Sequence, residues 1–307
     1  MRICIVGCGA VGSLFAAHLA KAGEAEVWAY DVWKEHTQAI RKRGLRLSGA
    51  AEFTAQLHAT SDPKELPHCD FGIVATKAIH TRNAIAQTAH AFGESSAVCS
   101  VQNGVGNEEI LAEYVKQVIR GTTFPAGHSI APGHIGYDIK GDTWIGPFEP
   151  THTSMGRVKE LAGLMTRSGM NTVALSDARG AQWSKLIFNS STNPVGALTL
   201  LHHGAATRFA PTNALFEDLI AEGEAVAQAL GIELHGDPRQ MVQKGANAPG
   251  QHRASMLQDV LAKRQTEVDF MNGAIVNWGK QAGVPTPLNR ALWELIKGLE
   301  HSWTDPQ

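Results

Sequence analysis

The chain contains no long block of basic residues, and its formal charge of -2 with an isoelectric point near 6.7 offers no positive field to a phosphate backbone. Nucleic acid binding is therefore disfavoured. No apolar stretch approaches the length of a membrane span, and the apolar start from Ile3 to Val6 is too short for a secretion signal and runs at once into glycine. A cytoplasmic protein with no membrane partner is expected. Cysteine is scarce: Cys4, Cys8, Cys69 and Cys99 fall in or beside strand-like segments without the paired spacing of a zinc site. They read as small buried residues of a reducing compartment. The histidines carry no metal signal either, because His202-His203 lacks helical ligand spacing and His128 and His134 sit in separate strand-like pieces. Surface or loop positions are expected for them. Internal repeats and low-complexity segments are absent.

What is present is an ordinary globular composition, 43% apolar and 18% charged, in 307 residues. That length exceeds the size at which one core usually keeps growing, so two domains sharing a cleft are expected. In the first half, Arg2 to Val6, Glu26 to Tyr30, Phe71 to Ala75 and Ala97 to Val101 alternate with longer amphipathic segments, the pattern of parallel strands with crossover helices. After Gly121 come short strands divided by Pro and Gly (Thr122 to Phe124, His128 to Ala131, His134 to Ile139, Asp142 to Ile145), which predict an antiparallel appendage to the sheet. From about Asp177 the signals are almost wholly helical, and Leu257, Leu261, Val268, Met271, Ile275 and Trp278 recur mostly at threes and fours. The expected organisation is α/β: a doubly wound N-terminal sheet domain over residues 1–176 and an all-α domain over 177–307. The stretch Gly245 to Gly250 reads as a loop inside the second.

Gly7-Cys8-Gly9-Ala10-Val11-Gly12 follows the first strand directly and opens a helix that Gly23 can stop. Strand, glycines and helix come in the order of a Rossmann dinucleotide turn. Gly7 allows the tight turn, Gly9 lets backbone approach a pyrophosphate, and Gly12 lets helix pack on strand. Asp31 ends the second strand, where a carboxylate can accept hydrogen bonds from adenosine ribose hydroxyls and repel a 2′-phosphate. That argues for NAD over NADP. Capping of the next helix through the amides of Trp33 and Lys34 explains Asp31 almost as well, so the choice between NAD and NADP stays open here.

In the second half, Lys185, Asn189 and Asn193 lie one helical turn apart among Trp183, Leu186, Ile187 and Phe188. A polar stripe with apolar flanks suggests a lined cavity, although an exposed lysine beside two surface amides has the same pattern. Pro194 removes a helical hydrogen bond, which predicts a kink and a freed carbonyl beside the stripe. Ser255-Met256-Leu257-Gln258 has capping-box spacing, so Ser255 is expected to begin a long helix whose N-terminus attracts carboxylates. Glu267 is placed farther along that same helix, where a solvated carboxylate is the commoner occupant.

On these residues the sequence resembles the ketopantoate reductase (2-dehydropantoate 2-reductase) family over essentially its whole length. The motifs that carry the resemblance occur in order. They are Gly7 to Gly12, Thr76-Lys77-Ala78, Gln102-Asn103-Gly104-Val105-Gly106, Trp183-Ser184-Lys185-Leu186 continuing to Asn189 and Asn193-Pro194, Ser255 to Asp259, and Thr266-Glu267-Val268-Asp269 through Asn272-Gly273. The later blocks are far more specific than the glycine fingerprint. The resemblance implies a Rossmann domain joined to a helical domain of 6-phosphogluconate-dehydrogenase type, with NADP or NAD as cofactor and a small 2-oxo acid as substrate. By the same resemblance Lys185 looks like the general acid, and Lys77 and Asn103 touch the nicotinamide end and the substrate. Asn189, Asn193, Ser255 and Glu267 look like the substrate cradle, Glu267 also being placed to meet a cofactor ribose. Gly7, Cys8, Gly9, Ala10, Val11, Gly12 and Asp31 are assigned to the cofactor.

Two departures from the family pattern matter. The usual basic residue for the 2′-phosphate is not apparent in Tyr30-Asp31-Val32-Trp33, although Lys34 is near in sequence, and Leu201-His202-His203-Gly204 stands where some members carry an asparagine before the glycine. Competing readings are a 3-hydroxyacid dehydrogenase of the 6-phosphogluconate type, whose Ser-Gly-Gly segment is not found, and a silent dinucleotide sensor. Mere sensing has no use for Lys185, Asn189 and Glu267. The oligomeric state is left open, a homodimer among the options.

Overall fold

The computed structural model describes residues 1–247 and 253–304. It divides into two compact units, Met1–Gln102 with Asn107–Ala178 and Asn103–Gly106 with Arg179–Gln307. The strands in chain order are β1 (Arg2–Val6), β2 (Glu26–Tyr30), β3 (Leu45–Gly49), β4 (Phe53–Ala55), β5 (His58–Thr60) and β6 (Phe71–Val74). They continue with β7 (Ala97–Ser100), β8 (Gln117–Thr123), β9 (Ala126–Ala131), β10 (His134–Ile139), β11 (Thr143–Pro147) and β12 (Thr172–Ala174). Helices α1 (Ala10–Ala22), α2 (Lys34–Arg43), α3 (Thr81–Thr88), α4 (Asn107–Ala112) and α5 (Met155–Arg167) complete the first unit.

Ile3 to Val6, Phe71 to Val74 and Ala97 to Ser100 are buried along their whole length. Strands covered on both faces read as continuous apolar runs, and they form the centre of a sheet ordered β12-β11-β8-β7-β6-β1-β2-β5. From β5 to β8 every pairing is parallel, β11 joins β8 antiparallel, and β12 is parallel to β11. The chain fills one side of β1 with β2 and β5, then returns to fill the other with β6. The turn after β1 therefore stands at a topological switch point, where open α/β sheets bind ligands.

The predicted antiparallel appendage is only partly right. The strand at 143–147 does extend the main sheet, but β9 and β10 belong to a second, four-stranded sheet ordered β4-β3-β10-β9. In it β10 runs parallel to β3, and α1 packs against all four strands. The β3–β4 pair has no strong alternating signature, and its partner is distant in sequence, so local pattern could not reveal it.

The second unit is helical: α6 (Arg179–Thr199), α7 (His203–Arg208), α8 (Ala210–Ala229), α9 (Pro238–Ala246), α10 (Ser255–Leu261), α11 (Asn272–Ala282) and α12 (Pro287–Ser302). The stretch expected as a loop is part helix, since Gly245 and Ala246 end α9, while 248–250 lie outside the described residues. Pro194 sits inside α6 without ending it. The carbonyl it cannot engage, that of Ser190, accepts instead from Asn272 Nδ2 at 2.9 Å. Asn272 also donates to Asn289 Oδ1 at 3.0 Å, so one fully buried amide ties α6 to α12.

The long helix expected from Ser255 through Glu267 does not form. α10 stops at Leu261, Lys263 takes the left-handed conformation (φ 49), and the Arg264 N–H turns back to the Asp259 carbonyl at 2.8 Å. Glu267 instead precedes a short 3-10 turn, Val268–Phe270, and α11 begins anew at Asn272. The apolar recurrence at threes and fours spans three separate pieces: Val268, Met271 and Ile275 share one core, whereas Leu261 at the end of α10 is exposed, and periodicity cannot see a break made by polar residues between them. Ser255 does not cap α10 either: the N-cap is Ala254, and the Gln258 side chain reaches back to the Arg253 carbonyl at 2.9 Å.

Replacing Asn272 by Ala would strand the Ser190 carbonyl in the core, where an unpaired acceptor costs about 1–3 kcal/mol. A destabilisation of that size is expected in the urea unfolding midpoint at unchanged slope, and an unmoved midpoint would show that the carbonyl finds another partner.

Candidate active site

In the first unit the glycine turn is shaped by what a side chain would strike. Gly7 has φ +89, and a Cβ there would lie 2.5 Å from Thr76 Cγ2 and 2.6 Å from the Thr76 backbone nitrogen. At Gly12 a Cβ would lie 1.9 Å from the Gly7 carbonyl oxygen, so only glycine lets α1 start this close to β1. Gly9 differs: it is the N-cap of α1, has no side-chain cap, and a Cβ there would meet open space. The first turn of α1 carries no acidic residue. An uncapped, unobstructed helix start of this kind fits a pyrophosphate.

Asp31 does two jobs at the edge of this turn. Its Oδ2 accepts from the Cys8 N–H at 2.7 Å, and its Oδ1 accepts from the Trp33 N–H at 2.9 Å. Of the two amides expected to be capped, only that of Trp33 is engaged. Trp33 is itself the N-cap residue of α2, which has no side-chain cap, so the bond closes the turn ahead of the helix rather than capping it, while the bond to Cys8 ties the carboxylate to the glycine turn as well. A carboxylate oxygen has room for more than one donor, so ribose hydroxyls can still be accepted. Burial pushes the Cys8 thiol up to about 12, so it is a packing group rather than a nucleophile. Val32 and Trp33, next in sequence, are exposed.

Several residues that hold this turn were not singled out from the sequence. Ser13 Oγ donates to the Cys8 carbonyl at 2.9 Å and lies 3.4 Å from His36 Nε2, while His36 Nδ1 accepts from the Gly133 N–H at 3.0 Å. His36 is fully buried, and burial lowers its pKa, so this histidine is a neutral structural link and not a surface residue. His203 also departs from the surface expectation, packing against Phe188 and Phe216 and bonding the Val242 carbonyl. Gln102 Nε2 lies 3.0 Å from both the carbonyl and hydroxyl oxygens of Thr76 and 2.8 Å from Thr81 Oγ1, locking the segment that carries Lys77. Lys77 itself is half-buried just before a 3-10 turn. A polar residue in an otherwise apolar strand end was the available signal at Gln102.

In the second unit the segment Asn103–Gly106 lies on Phe270. The Val105 N–H donates to the Phe270 carbonyl at 3.1 Å, and Gln182 Nε2 donates to the Gly104 carbonyl at 3.3 Å. Gly104 has φ +82, and a Cβ there would lie 2.3 Å from the Phe270 carbonyl oxygen. This docking delivers Asn103 to the α6 stripe. Lys185 Nζ donates to Asn103 Oδ1 at 2.8 Å, and Asn103 Nδ2 donates to Glu267 Oε2 at 3.4 Å, a long contact. An amide is suited to this place because it can accept from an ammonium and donate to a carboxylate at once.

Burial pushes the Lys185 ammonium down to about 8, and the Glu267 carboxylate opposes that fall. Glu267 is 6% exposed, not the solvated helix-face carboxylate that its residue type most often makes. Asn189 and Asn193 follow Lys185 along α6 and are buried, with Asn193 Nδ2 3.8 Å from Met271 Sδ. Ser255 is exposed at the first residue of α10, which packs on α6. The second unit thus joins Lys185, Asn103 and Glu267 in one chain of polar contacts, with Asn189 and Asn193 on the same helix. Gly7 to Gly12, Asp31 and Lys77 belong to the first unit. Among the described residues no group of three or more His, Cys, Asp or Glu could hold a metal ion, and no helix is long and apolar enough to cross a membrane.

Replacing Gly104 by Ala would impose both a strained φ and a clash with the Phe270 carbonyl, whereas at Gly106 (φ +101) the nearest atom to a Cβ is 3.9 Å away. Gly104→Ala is expected to lower stability by about 1–3 kcal/mol and Gly106→Ala by less, read by thermal denaturation. Equal losses would mean that the docking onto Phe270 contributes nothing beyond the backbone conformation.

Two family models match the chain, ketopantoate reductase PanE/ApbA over residues 3–150 and the ketopantoate reductase PanE/ApbA C-terminal model over 177–300. A 2-dehydropantoate 2-reductase of Archaeoglobus fulgidus is 32% identical over 97% of this chain and 98% of its own length. Among solved structures, a PanE/ApbA family ketopantoate reductase from Ralstonia eutropha superposes with a TM-score of 0.88 at 31% identity, covering 99% of this chain and 100% of that one. A D-mandelate dehydrogenase solved with NADH and anilino(oxo)acetate superposes with a TM-score of 0.90 at 26% identity, covering 99% and 100%.

Proposed function

Because this chain belongs to the ketopantoate reductase family, we propose that it reduces the ketone of a small 2-oxo acid, ketopantoate first among them, to the 2-hydroxy acid with NADH. The observation that carries the reading is the half-buried Lys185 ammonium, aimed by Asn103 at 2.8 Å and held beside the Glu267 carboxylate. When bound, the reduced dinucleotide supplies a hydride to the 2-oxo carbon. The carbonyl π bond breaks as the new C–H bond forms, leaving the electron pair on oxygen. Lys185 Nζ donates its proton to that oxygen and stabilises the charge as it develops. With a pKa of about 8, the resulting neutral amine regains its proton from water at neutral pH.

The remaining residues orient the substrate. Asn189 and Asn193 offer amide donors from the same face of α6, and Ser255, at the first turn of α10, receives the substrate carboxylate. Glu267 accepts from a substrate hydroxyl or a ribose hydroxyl while keeping Lys185 protonated. In the first unit the Gly9 turn and the start of α1 receive the pyrophosphate, with Lys77 at the nicotinamide end. Asp31 selects NADH, since a 2′-phosphate would meet a carboxylate already fixed by Cys8 and Trp33.

A second reading, reduction of a different 2-oxo acid, is favoured by the likeness to D-mandelate dehydrogenase and by Leu201-His202-His203 at a pocket position of the family. A panel of 2-oxo acids assayed with both cofactors separates the two: ketopantoate should give the highest kcat/KM, and a larger value for an aryl 2-oxo acid would transfer the assignment.

Lys185→Met is expected to lower kcat by about 10²–10⁴ with cofactor affinity nearly intact. The wild-type reduction rate should be full below pH 8 and fall as pH rises through about 8, where the donor loses its proton. A flat profile to pH 10, or intact turnover in the variant, would remove Lys185 from the reaction.

Asp31→Asn removes the charge and keeps an acceptor for one backbone N–H. The ratio of kcat/KM for NADPH over NADH is expected to rise by roughly tenfold. An unchanged ratio would leave Asp31 with its structural bonds alone.

A further inference from the structure

Glu267 has no helix of its own. It lies between the end of α10 and a three-residue 3-10 turn, in a segment whose backbone is fixed chiefly by side chains from elsewhere. Thr266 is fully buried, and both its N–H and its hydroxyl donate to Glu300 Oε1, at 2.8 Å and 2.7 Å. The same hydroxyl accepts from the Val268 N–H at 3.2 Å. On the other side of Glu267, Asp269 Oδ1 accepts from Trp293 Nε1 at 2.7 Å. Lys297 Nζ joins the two anchors, 3.0 Å from Asp269 Oδ2 and 3.1 Å from Glu300 Oε2.

Trp293, Lys297 and Glu300 fall on one face of α12, and together they grip the residues on both sides of Glu267 and Val268. Glu300 is largely withdrawn from water, at 11% side-chain exposure. Charge-assisted bonds in such a setting are stronger than neutral ones and set a single geometry. The Phe270 carbonyl, at the end of the gripped segment, also receives the Val105 N–H and so helps to set Asn103.

We propose that Trp293, Lys297 and Glu300 of α12 are positioning residues for the Lys185–Asn103–Glu267 constellation, holding the Glu267 carboxylate within reach of Lys185. The proposal rests on the reading of that constellation as the reacting site. None of the three α12 residues touches Lys185, Asn103 or Glu267 through any bond described above; they act through Thr266, Asp269 and Phe270. The charged groups in play are Lys185 opposite Glu267, and Lys297 opposite both Asp269 and Glu300. Loosening the grip withdraws the carboxylate that raises the Lys185 pKa, so the lysine should lose its proton at lower pH.

The test uses Glu300→Gln, Glu300→Asp and the milder Trp293→Phe in the full chain. Expected are a kcat lowered by roughly tenfold to a hundredfold in Glu300→Gln, a smaller loss in Trp293→Phe, and KM for the dinucleotide within about twofold of wild type. Glu300→Asp should recover part of the loss. Independently of turnover, Lys185 followed by NMR in protein with 13C-methylated lysines should titrate at lower pH in Glu300→Gln and Trp293→Phe than in wild type. A Lys185 midpoint unmoved in both variants, with any activity loss tracking thermal stability alone, would overturn the proposal. Failure of the wild-type protein to reduce any 2-oxo acid would instead sink the proposed function, and the titration would still decide the positioning.

Discussion

An ammonium taken partly out of water must be held charged by its surroundings or surrender its proton, and much of the helical unit can be understood as an answer to that constraint at Lys185. Burial draws its pKa down to about 8, the Glu267 carboxylate pulls the other way, and the Asn103 amide fixes the direction of Nζ. The balance leaves a group still protonated at neutral pH yet ready to give up its proton. A more exposed lysine would hold its proton more tightly, and a buried one without Glu267 less tightly.

The cost of this arrangement falls on the backbone around it. Asn103 reaches Lys185 because Gly104 and Gly106 adopt positive φ and let their segment lie against Phe270. Glu267 meets Asn103 in a segment where α10 has stopped early and the flanking Thr266 and Asp269 are bonded from α12. Pro194 interrupts the hydrogen bonding of α6 just beyond the stripe, and Asn272 repairs the loss from another helix. In each case regular structure is given up near a polar group and a buried side chain compensates, which keeps a site of this kind rigid without a continuous helix.

Glycine serves two distinct ends in the sheet unit. Gly7 and Gly12 are required by crowding, since a side chain at either would strike Thr76 or the Gly7 carbonyl, whereas a Cβ at Gly9 would meet open space, which leaves the start of α1 unobstructed. The Asp31 carboxylate, Ser13 and His36 then hold the turn from behind. The carboxylate that shapes the turn is the one to which we assign the choice of dinucleotide, so on that proposal cofactor preference and turn stability are coupled through a single side chain.

The sequence by itself determined the alternation that makes a parallel sheet, the glycine turn, the helical second half and the stripe of Lys185, Asn189 and Asn193, because each rests on local spacing. It did not reveal the second sheet, since β3 and β10 find each other across a long stretch of chain and each is weakly patterned alone. It misplaced Glu267 on a continuous helix, because apolar residues from three short pieces imitate one period along the sequence. It also passed over His36 and Glu300, and it showed Gln102 and Thr266 only as members of motifs, because the roles of all four exist through partners distant in sequence. What tertiary structure alone decided is which polar side chains are withdrawn from water and paired, and burial of that kind is a property of contacts between segments rather than of any segment.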